Sequence, residues 1–182
     1  MENNSQKATF AGGCFWCQDA VFRMLKGVES VTSGYSGGDI ENPTYEQVTR
    51  GDTGHLEAIQ IEYNPDEVSY NDLLEIFWTS HNPTQAGGQG SDMGPQYEAV
   101  ILYHNDEQKD LAESSKKNLE DESVYDKPIV TKVLPFKNFY PAEGYHQDYY
   151  NKNTSAPYCS IVINPKIEKI KELFSEKLKN IE

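Results

Sequence analysis

The chain of 182 residues is poor in positive charge and has no long apolar run. It carries 16 Lys and Arg residues against 29 Asp and Glu residues, which gives a formal net charge of -13. Proteins that bind nucleic acid neutralise phosphates with clustered basic side chains, so we expect no nucleic-acid partner. A membrane-spanning helix needs about 20 consecutive apolar residues, and because no stretch approaches that length we expect no membrane partner.

Cysteine is also scarce, with three residues in the whole chain. A chain of this length buries enough surface to fold without covalent staples, and an odd number of cysteines does not suit a secreted disulfide framework. The cysteines are therefore expected to be reactive thiols or metal ligands. The stretch MENNSQKATF lacks the basic and apolar segments of a signal peptide, so we interpret the protein as cytoplasmic, with a short irregular start.

The order of hydrophobic patterns predicts a single α+β domain. No internal repeat, low-complexity tract or long linker divides the sequence. Short or alternating apolar runs predict strands within residues 7–13, 55–65, 97–104 and 128–136. Because strands and helices do not alternate strictly, we expect a mixed, mainly antiparallel sheet covered by helices in a two-layer sandwich, with long coil segments. The glycine-rich stretch 83–95 is one such coil, and a loop of that length is usually functional.

Helix signals follow several of the predicted strands. Apolar spacing after Cys14 predicts a helix that ends at Gly27, which puts Cys14 at or just before a helix N-terminus. Ser69 with Asp72 resembles a capping box that begins a second helix, and Asn105 begins a third.

A final helix is predicted near the C-terminus. Asn164 and Pro165 are expected to be its N-cap and its first helical residue. Its apolar face is expected to contain Ile167, Ile170, Leu173, Phe174 and Leu178.

The stretch GGCFWC at residues 12–17 places two cysteines in a C-x-x-C pattern that has several interpretations. One is a thioredoxin-like redox pair, in which a helix N-terminus lowers the pKa of the first thiol. A second is a pair of inert cysteines that pack as small apolar side chains. A third is a zinc site, whose ligands would be Cys14, Cys17, Cys159 and His146.

In a fourth interpretation Cys14 is a single activated nucleophile beside an apolar pocket made by Phe15 and Trp16. A methyl sulfoxide such as methionine sulfoxide suits a thiolate, an apolar wall and hydrogen-bond donors together. Its sulfur is a poor electrophile until the oxygen is protonated or strongly hydrogen-bonded, so the site would need a carboxylic acid and several phenols.

Four stretches of the sequence resemble, in order and spacing, the peptide methionine sulfoxide reductase A family. They are GGCFWC at 12–17, NPTYEQVTRGDTGHLEA at 42–58, HNPTQAGGQGSDMGPQY at 81–97 and YPAEGYHQDY at 140–149. The resemblance implies that residues 1–182 form a single catalytic domain of this type. It further implies the reduction of methionine S-sulfoxide, free or in proteins, as a repair of oxidative damage, with no cofactor and no metal.

The same resemblance assigns roles to individual residues. Cys14 is the nucleophile that attacks the sulfoxide sulfur and becomes a sulfenic acid. Glu57 is the acid that protonates the sulfoxide oxygen, and burial beside aromatic rings would raise its pKa to suit that task. Tyr45 and Tyr97 hold the oxygen, and Asp92 orients the site.

Phe15 and Trp16 are expected from the resemblance to receive the substrate methyl group. His55, His81 and His146 also lie in matching motifs, and we expect them to make structural hydrogen bonds. The chain departs from many relatives in having Cys17 where they have Gly, and in having Met93 and Pro95 in a loop where polar residues are common.

The resemblance also implies how the oxidised Cys14 is recycled. Cys159 is expected to attack the sulfenic acid and form a disulfide, which thioredoxin then reduces. Cys17 is a possible second resolving cysteine, because a helix start would put it within one turn of Cys14. The alternative function is a dithiol-disulfide oxidoreductase that uses Cys14 and Cys17.

Overall fold

A six-stranded sheet and the helices packed on it make up the α+β fold of the computed structural model, which describes residues 4–180. The strands are β1 Gln6–Gly12, β2 Val28–Ser36, β3 Leu56–Tyr63, β4 Gly88–Gln89, β5 Asp92–Met93, β6 Ala99–Tyr103, β7 Lys132–Pro135 and β8 Tyr140–Pro141. The helices are α1 Phe15–Phe22, α2 Tyr45–Thr49, α3 Tyr70–Ser80, α4 Asp106–Asp121, α5 Tyr149–Lys152 and α6 Asn164–Leu173.

The strands of the main sheet lie in the order β7-β6-β1-β3-β2-β8. The pairs β1–β3, β1–β6, β2–β3 and β2–β8 are antiparallel, and β6–β7 is parallel. Strands β4 and β5 form a separate two-stranded hairpin within the glycine-rich stretch. The predicted mixed, mainly antiparallel sheet with helices is therefore confirmed.

The strands bury apolar residues on both faces of the sheet. On one face Phe10 stacks on Phe77 of α3, with ring centroids 4.8 Å apart. On the other face Val100 and Leu102 pack under the partly buried Phe136. Fully burying one such side chain stabilises the fold by about 1.5–3 kcal/mol, so the sheet is a firm base for the loops at its edge.

The predicted helix starts at Ser69 and Asn105 are confirmed. Ser69 Oγ accepts a hydrogen bond from the Asp72 backbone N–H over 3.0 Å, and Asp72 Oδ2 accepts one from the Ser69 N–H over 3.0 Å. Asn105 Oδ1 accepts from the Gln108 backbone N–H over 2.9 Å. These bonds satisfy backbone donors that a helix start otherwise leaves free.

The predicted N-cap at Asn164 is wrong. Asn164 has helical dihedral angles, because a π-helical turn at Cys159–Ile163 leads directly into α6. Its side chain accepts a hydrogen bond from the Tyr150 hydroxyl over 2.6 Å instead of capping the helix. Ile167 and Ile170 are buried as expected, but Leu173 is 52% exposed.

Other boundaries also differ from the predictions. Helix α1 ends at Phe22, and turns carry the chain on to Gly27, which has φ +81°. The strand predicted within 128–136 is reduced to β7. Strand β2 was not predicted, although it pairs with β3 along most of its length. The first residues of the expected irregular start, 1–3, lie outside the described residues. No helix within residues 4–180 is both long and apolar enough to cross a membrane.

Candidate active site

Cys14 lies at the junction of β1 and α1, where two glycines turn the chain. Gly13 has φ +89°, a left-handed conformation that favours glycine. A Cβ atom on Gly12 would lie 2.8 Å from the Phe77 ring, so this position also needs glycine. The turn brings the partly exposed Cys14 thiol to the N-terminus of α1, where free backbone N–H groups carry partial positive charge.

Glu57 provides a buried carboxyl group close to this turn. It lies on β3 opposite Tyr35 of β2 and is 2% exposed. The Phe15 backbone N–H donates a hydrogen bond to Glu57 Oε2 over 3.1 Å. Burial is the main reason that the pKa of Glu57 rises to about 8, and negative charge on Asp92 and Cys17 acts in the same direction. At neutral pH the carboxyl group is therefore protonated and can donate a proton.

Two tyrosines reach the same neighbourhood from short helical segments. Tyr45 is the first residue of α2, which Thr44 caps through a complete capping box. The Glu143 carboxylate accepts a hydrogen bond from the Tyr45 backbone N–H over 3.1 Å and thereby fixes the start of this helix. Tyr97 ends a 3-10 turn that begins at Pro95.

Both phenols stay protonated in this environment. Burial, followed by negative charge on Glu57 and Cys14, raises the pKa of Tyr45 to about 12. Burial and the charge on Glu57 also raise the pKa of Tyr97 above its ordinary value. The two hydroxyl groups are thus hydrogen-bond donors within electrostatic range of the thiol and the acid.

The Trp16 indole forms an accessible aromatic wall beside Cys14. It stacks on the Tyr149 ring with centroids 3.7 Å apart, and its Nε1–H donates to His146 Nδ1 over 3.0 Å. Burial lowers the pKa of His146, so the ring is neutral and can accept this bond. Phe15 is 1% exposed and packs on Tyr35 in the core, so it supports the wall from beneath.

Tyr158 connects the C-terminal segment to the site. Its hydroxyl donates a hydrogen bond to Asp92 Oδ2 over 2.7 Å and lies 3.5 Å from Cys17 Sγ. Asp92 belongs to the β4–β5 hairpin of the glycine-rich stretch. Because Tyr158 directly precedes Cys159, this hydrogen bond links the glycine-rich stretch to the segment that carries Cys159.

Cys14 and Cys17 behave as a proton-sharing pair. A hydrogen bond from Cys14 lowers the pKa of the Cys17 thiol to about 7, while burial opposes this and the charge of Lys166 adds to it. Burial raises the pKa of Cys14 well above its ordinary value, and the bond to Cys17 acts in the same direction. The first proton therefore leaves Cys17 near neutral pH, and the Cys17 thiolate can accept the Cys14 proton when Cys14 acts as a nucleophile.

Cys159 is fully buried in the π-helical turn that precedes α6. It shares a hydrophobic cluster with Cys17, Ala20 and Ile163, and Cys14 packs against the edge of that cluster. Burial and negative charge on Cys17 raise the pKa of the Cys159 thiol. Of the two candidate resolving cysteines, Cys17 lies within one helical turn of Cys14, and its backbone N–H donates a hydrogen bond to the Cys14 carbonyl over 3.1 Å.

Three residues of the site were not indicated by the sequence, namely Tyr149, Tyr158 and Glu143. Tyr149 and Glu143 lie in the stretch YPAEGYHQDY, in which the sequence indicated a role for His146 alone. Tyr158 directly precedes Cys159, but among twelve tyrosines that position alone does not distinguish it.

The remaining histidines hold loops to the sheet and helices. His55 Nδ1 accepts from the Gly38 N–H over 3.1 Å, and His55 Nε2 donates to the Ile40 carbonyl over 2.8 Å. His81 bridges the Phe77 carbonyl and Thr131 Oγ1, and burial lowers its pKa to about 4. In the described part of the chain no group of three or more His, Cys, Asp or Glu residues is arranged to hold a metal ion.

Comparison with known proteins gives consistent matches over most of the chain. The family model described as peptide methionine sulfoxide reductase matches residues 6–178. Peptide methionine sulfoxide reductase MsrA of Thermus thermophilus is 50% identical over 172 residues, which cover 94% of this chain and 97% of the relative. The protein of the same name from Haloquadratum walsbyi is 51% identical, over 96% of this chain and 99% of the relative.

Solved structures share the fold. Mxr1 from Saccharomyces cerevisiae in reduced form has a TM-score of 0.80 and 30% identity, over 87% of this chain and 91% of that chain. Methionine sulfoxide reductase A of Corynebacterium diphtheriae has a TM-score of 0.74 and 27% identity, over 86% and 80% of the two chains. The structure of Mxr1 in complex with Trx2 has a TM-score of 0.57 and 20% identity, over 82% and 87%.

Proposed function

The chain belongs to the peptide methionine sulfoxide reductase family and is an enzyme that reduces methionine sulfoxide, and from this premise we propose that it does so through a sulfenic acid on Cys14. The observation that carries the proposal is the buried Glu57 carboxyl group, whose pKa of about 8 keeps it protonated beside the Cys14 turn. The proposed substrate is the S epimer of methionine sulfoxide, free or in proteins, and the proposed role is repair of oxidised proteins.

The first step moves two electrons from Cys14 to the sulfoxide sulfur. Cys14 gives its proton to the Cys17 thiolate and attacks that sulfur, while Glu57 donates its proton to the sulfoxide oxygen and turns the oxygen into a leaving group. The phenols of Tyr45 and Tyr97 donate hydrogen bonds to the oxygen as negative charge develops on it. The oxygen leaves the substrate sulfur as hydroxide, which then attacks the Cys14 sulfur and breaks the S–S bond formed by the first attack. Cys14 thereby becomes a sulfenic acid and methionine is released.

The substrate is held through its apolar end. The Trp16 face, fixed by His146 and Tyr149, offers an apolar surface for the methyl group, and Phe15 supports it from the core. Asp92, held by Tyr158, is the proposed orienting carboxylate.

The second step forms a disulfide and releases water. A resolving thiol attacks the sulfur of the Cys14 sulfenic acid, and the hydroxyl group leaves as water. We propose that Cys159 resolves Cys14 and contributes to the disulfide that is finally reduced. The cluster that Cys159 shares with Cys17, with Cys14 packed against its edge, supports this choice, and Cys17 is the alternative resolving thiol.

Thioredoxin is the proposed reductant. Its dithiol would attack the disulfide and restore two thiols, so sulfoxide reduction would consume one reduced thioredoxin per turnover. Mxr1 has the same fold as this chain, and its solved complex with Trx2 supports this choice. The proposed compartment is the reducing cytoplasm, where three free thiols persist.

A single-turnover experiment tests the first step. Wild-type protein mixed with methionine S-sulfoxide in the absence of reductant should release about one methionine per protein and lose thiols. The Cys14→Ser variant should release none. Cys159→Ser should release methionine at the wild-type rate because Cys159 acts after the release, and Cys17→Ser should still release it, but more slowly. Methionine release by Cys14→Ser would contradict the proposal. Reduction of insulin disulfides without sulfoxide consumption would instead favour the dithiol oxidoreductase.

Disulfide mapping on the same samples tests the resolving route. A Cys14–Cys159 peptide in the wild-type protein supports Cys159 as the resolving residue, whereas a Cys17–Cys159 peptide shows that Cys17 reacted with Cys14 first. A product that contains a Cys14–Cys17 bridge alone would assign resolution to Cys17.

A further inference from the structure

A cleft of about 530 Å³ opens beside Cys14 and extends beyond the residues that the proposed chemistry uses. Cys14, Cys17 and Asp92 are among its lining residues. One wall is formed by the end of α3 and the glycine-rich stretch, and the other by the start of α6. The cleft therefore leads from the nucleophile outward along a path that any polypeptide attached to the reacting side chain could follow.

The α6 wall carries two lysines that lack carboxylate partners. Lys166 and Lys169 are three positions apart on α6 and both line the cleft. None of the ion pairs between residues 4 and 180 includes either of them, whereas Lys171 of the same helix pairs with Glu168 over 3.5 Å. In a chain with a net charge of -13, two unpaired cations in one cleft are a local reversal of charge.

On the opposite wall the Thr79 carbonyl accepts a hydrogen bond from Lys169 Nζ over 3.4 Å, but no carboxylate of that wall pairs with either lysine. Gln89 is held to the Asn82 backbone by two hydrogen bonds of 2.8 and 2.7 Å. Gln85 is held to the Gly90 backbone by two bonds of 2.8 and 3.0 Å. These amide side chains stabilise the glycine-rich stretch. The acidic side chain that lines the cleft, Asp92, already accepts a hydrogen bond from the Tyr158 hydroxyl.

We propose that this cleft binds the polypeptide segment next to the oxidised methionine, and that Lys166 and Lys169 select segments that carry Asp or Glu. The inference rests on the proposed function, since it places the reacting sulfoxide at Cys14. A concave cleft of this size suits a few residues of an extended chain, because pockets of about 300–1,000 Å³ hold small ligands. Opposite charge across a contact raises both the encounter rate and the selectivity for the right partner.

Matched peptides test the proposal. Each short peptide carries one methionine S-sulfoxide, and the residues on both sides of it are Asp, Asn or Lys. The second-order rate constant for its reduction to methionine is measured in single turnover without reductant. The wild-type protein should prefer Asp over Asn over Lys at low ionic strength. Lys166→Met with Lys169→Met should reduce the ratio of the Asp rate to the Lys rate by about three- to tenfold, as expected for two partly exposed ion pairs. Added salt should shrink the wild-type preference.

Lys171→Met is the control, because it removes a cation of the same helix that already has a partner. It should keep the wild-type ratio. An unchanged ratio in the double variant, or an equal loss in Lys171→Met, would overturn the proposal. So would a double variant that keeps the ratio but loses turnover with thioredoxin, since the lysines would then serve the reductant. Free methionine sulfoxide has no flanking residues, so failure of the wild-type protein to reduce it would contradict the proposed function instead.

Discussion

On one side of Cys14 the polar groups come from the sheet and from short helical segments beside it, whereas on the other side they come from the first turn of α1 and from the segment that leads into α6. We name the first group, Glu57, Tyr45 and Tyr97, the acid side, and the second, Cys17, Tyr158 and Cys159, the thiol side. Glu57 is fixed by strand pairing and by the Phe15 amide. The thiol side depends on apolar packing and on the bond between Tyr158 and Asp92.

This difference matches the two halves of the proposed reaction. Stabilising charge on a leaving oxygen requires donors that are already in place, so a rigid acid side suits the sulfoxide step. Passing a disulfide from a buried thiol to a reductant requires a segment that can open, and a segment held by few bonds opens at lower cost. Variants that affect one side should therefore change one half-reaction and spare the other.

Glu57→Gln should break the acid side and have the largest effect. Without a proton donor the single-turnover rate of methionine release should fall by about 100-fold or more, whereas disulfide formation after oxidation of Cys14 by peroxide should be unchanged. Glu62→Gln, an exposed carboxylate on the same strand, is the control and should act like the wild-type protein. A rate within about twofold of the wild type would remove Glu57 from the proposed role.

The pH dependence of the sulfoxide step should separate the two sides without a mutation. The rate should rise through about pH 7 as Cys17 becomes the thiolate that accepts the Cys14 proton, and fall above about pH 8 as Glu57 loses its own proton. Stopped-flow measurement of methionine release across this range gives the profile. Glu57→Gln should lose the alkaline limb and keep the acidic one, and a variant that keeps both limbs would contradict the assignment.

Tyr158→Phe should weaken the thiol side. A hydrogen bond to a carboxylate contributes about 1.5–3 kcal/mol, so its loss should slow disulfide formation by about tenfold or more while methionine release changes less. Thiol titration after one equivalent of sulfoxide measures the first rate. Tyr125→Phe, which removes a hydroxyl bonded to the Trp78 carbonyl, is the control, and equal slowing in both variants would count against the role of Tyr158.

His146→Phe should have the smallest effect, because it loosens the Trp16 wall and leaves both sides intact. Loss of a neutral hydrogen bond of about 1 kcal/mol should raise KM for the sulfoxide by about fivefold with little change in kcat. His146→Asn, whose amide oxygen can accept from the indole, should recover part of the affinity. A lower kcat with unchanged KM would show that His146 acts on the chemistry instead of on the wall.

The sequence predicted best those features that are determined by neighbouring residues. The capping pair at Ser69 and Asp72, and the glycine turn before Cys14, depend on side chains within a few positions of the affected backbone. Strand β3 could be predicted because the residues that it packs on the core give a recognisable apolar pattern in the sequence. These elements have a local physical cause, so a single sequence suffices to find them.

The features that the sequence did not predict depend on contacts between distant segments. Strand β2 has few large apolar residues and is stabilised by its pairing with β3. The side chain of Asn164 bonds to Tyr150 and not to the helix start, because the preceding π-helical turn already satisfies that end. Tyr158 is 66 positions from Asp92, and no local pattern reports such a bond.

The burial of Glu57 also has a consequence for folding. The unfolded chain releases this proton near the ordinary pKa of 4.5, whereas the folded protein keeps it up to about pH 8. Between these values the folded state holds one proton more than the unfolded state, so the free energy of unfolding falls as pH rises through this interval and levels off above it. The protein thus gives up part of its stability at neutral pH and above in order to keep an acid in its core.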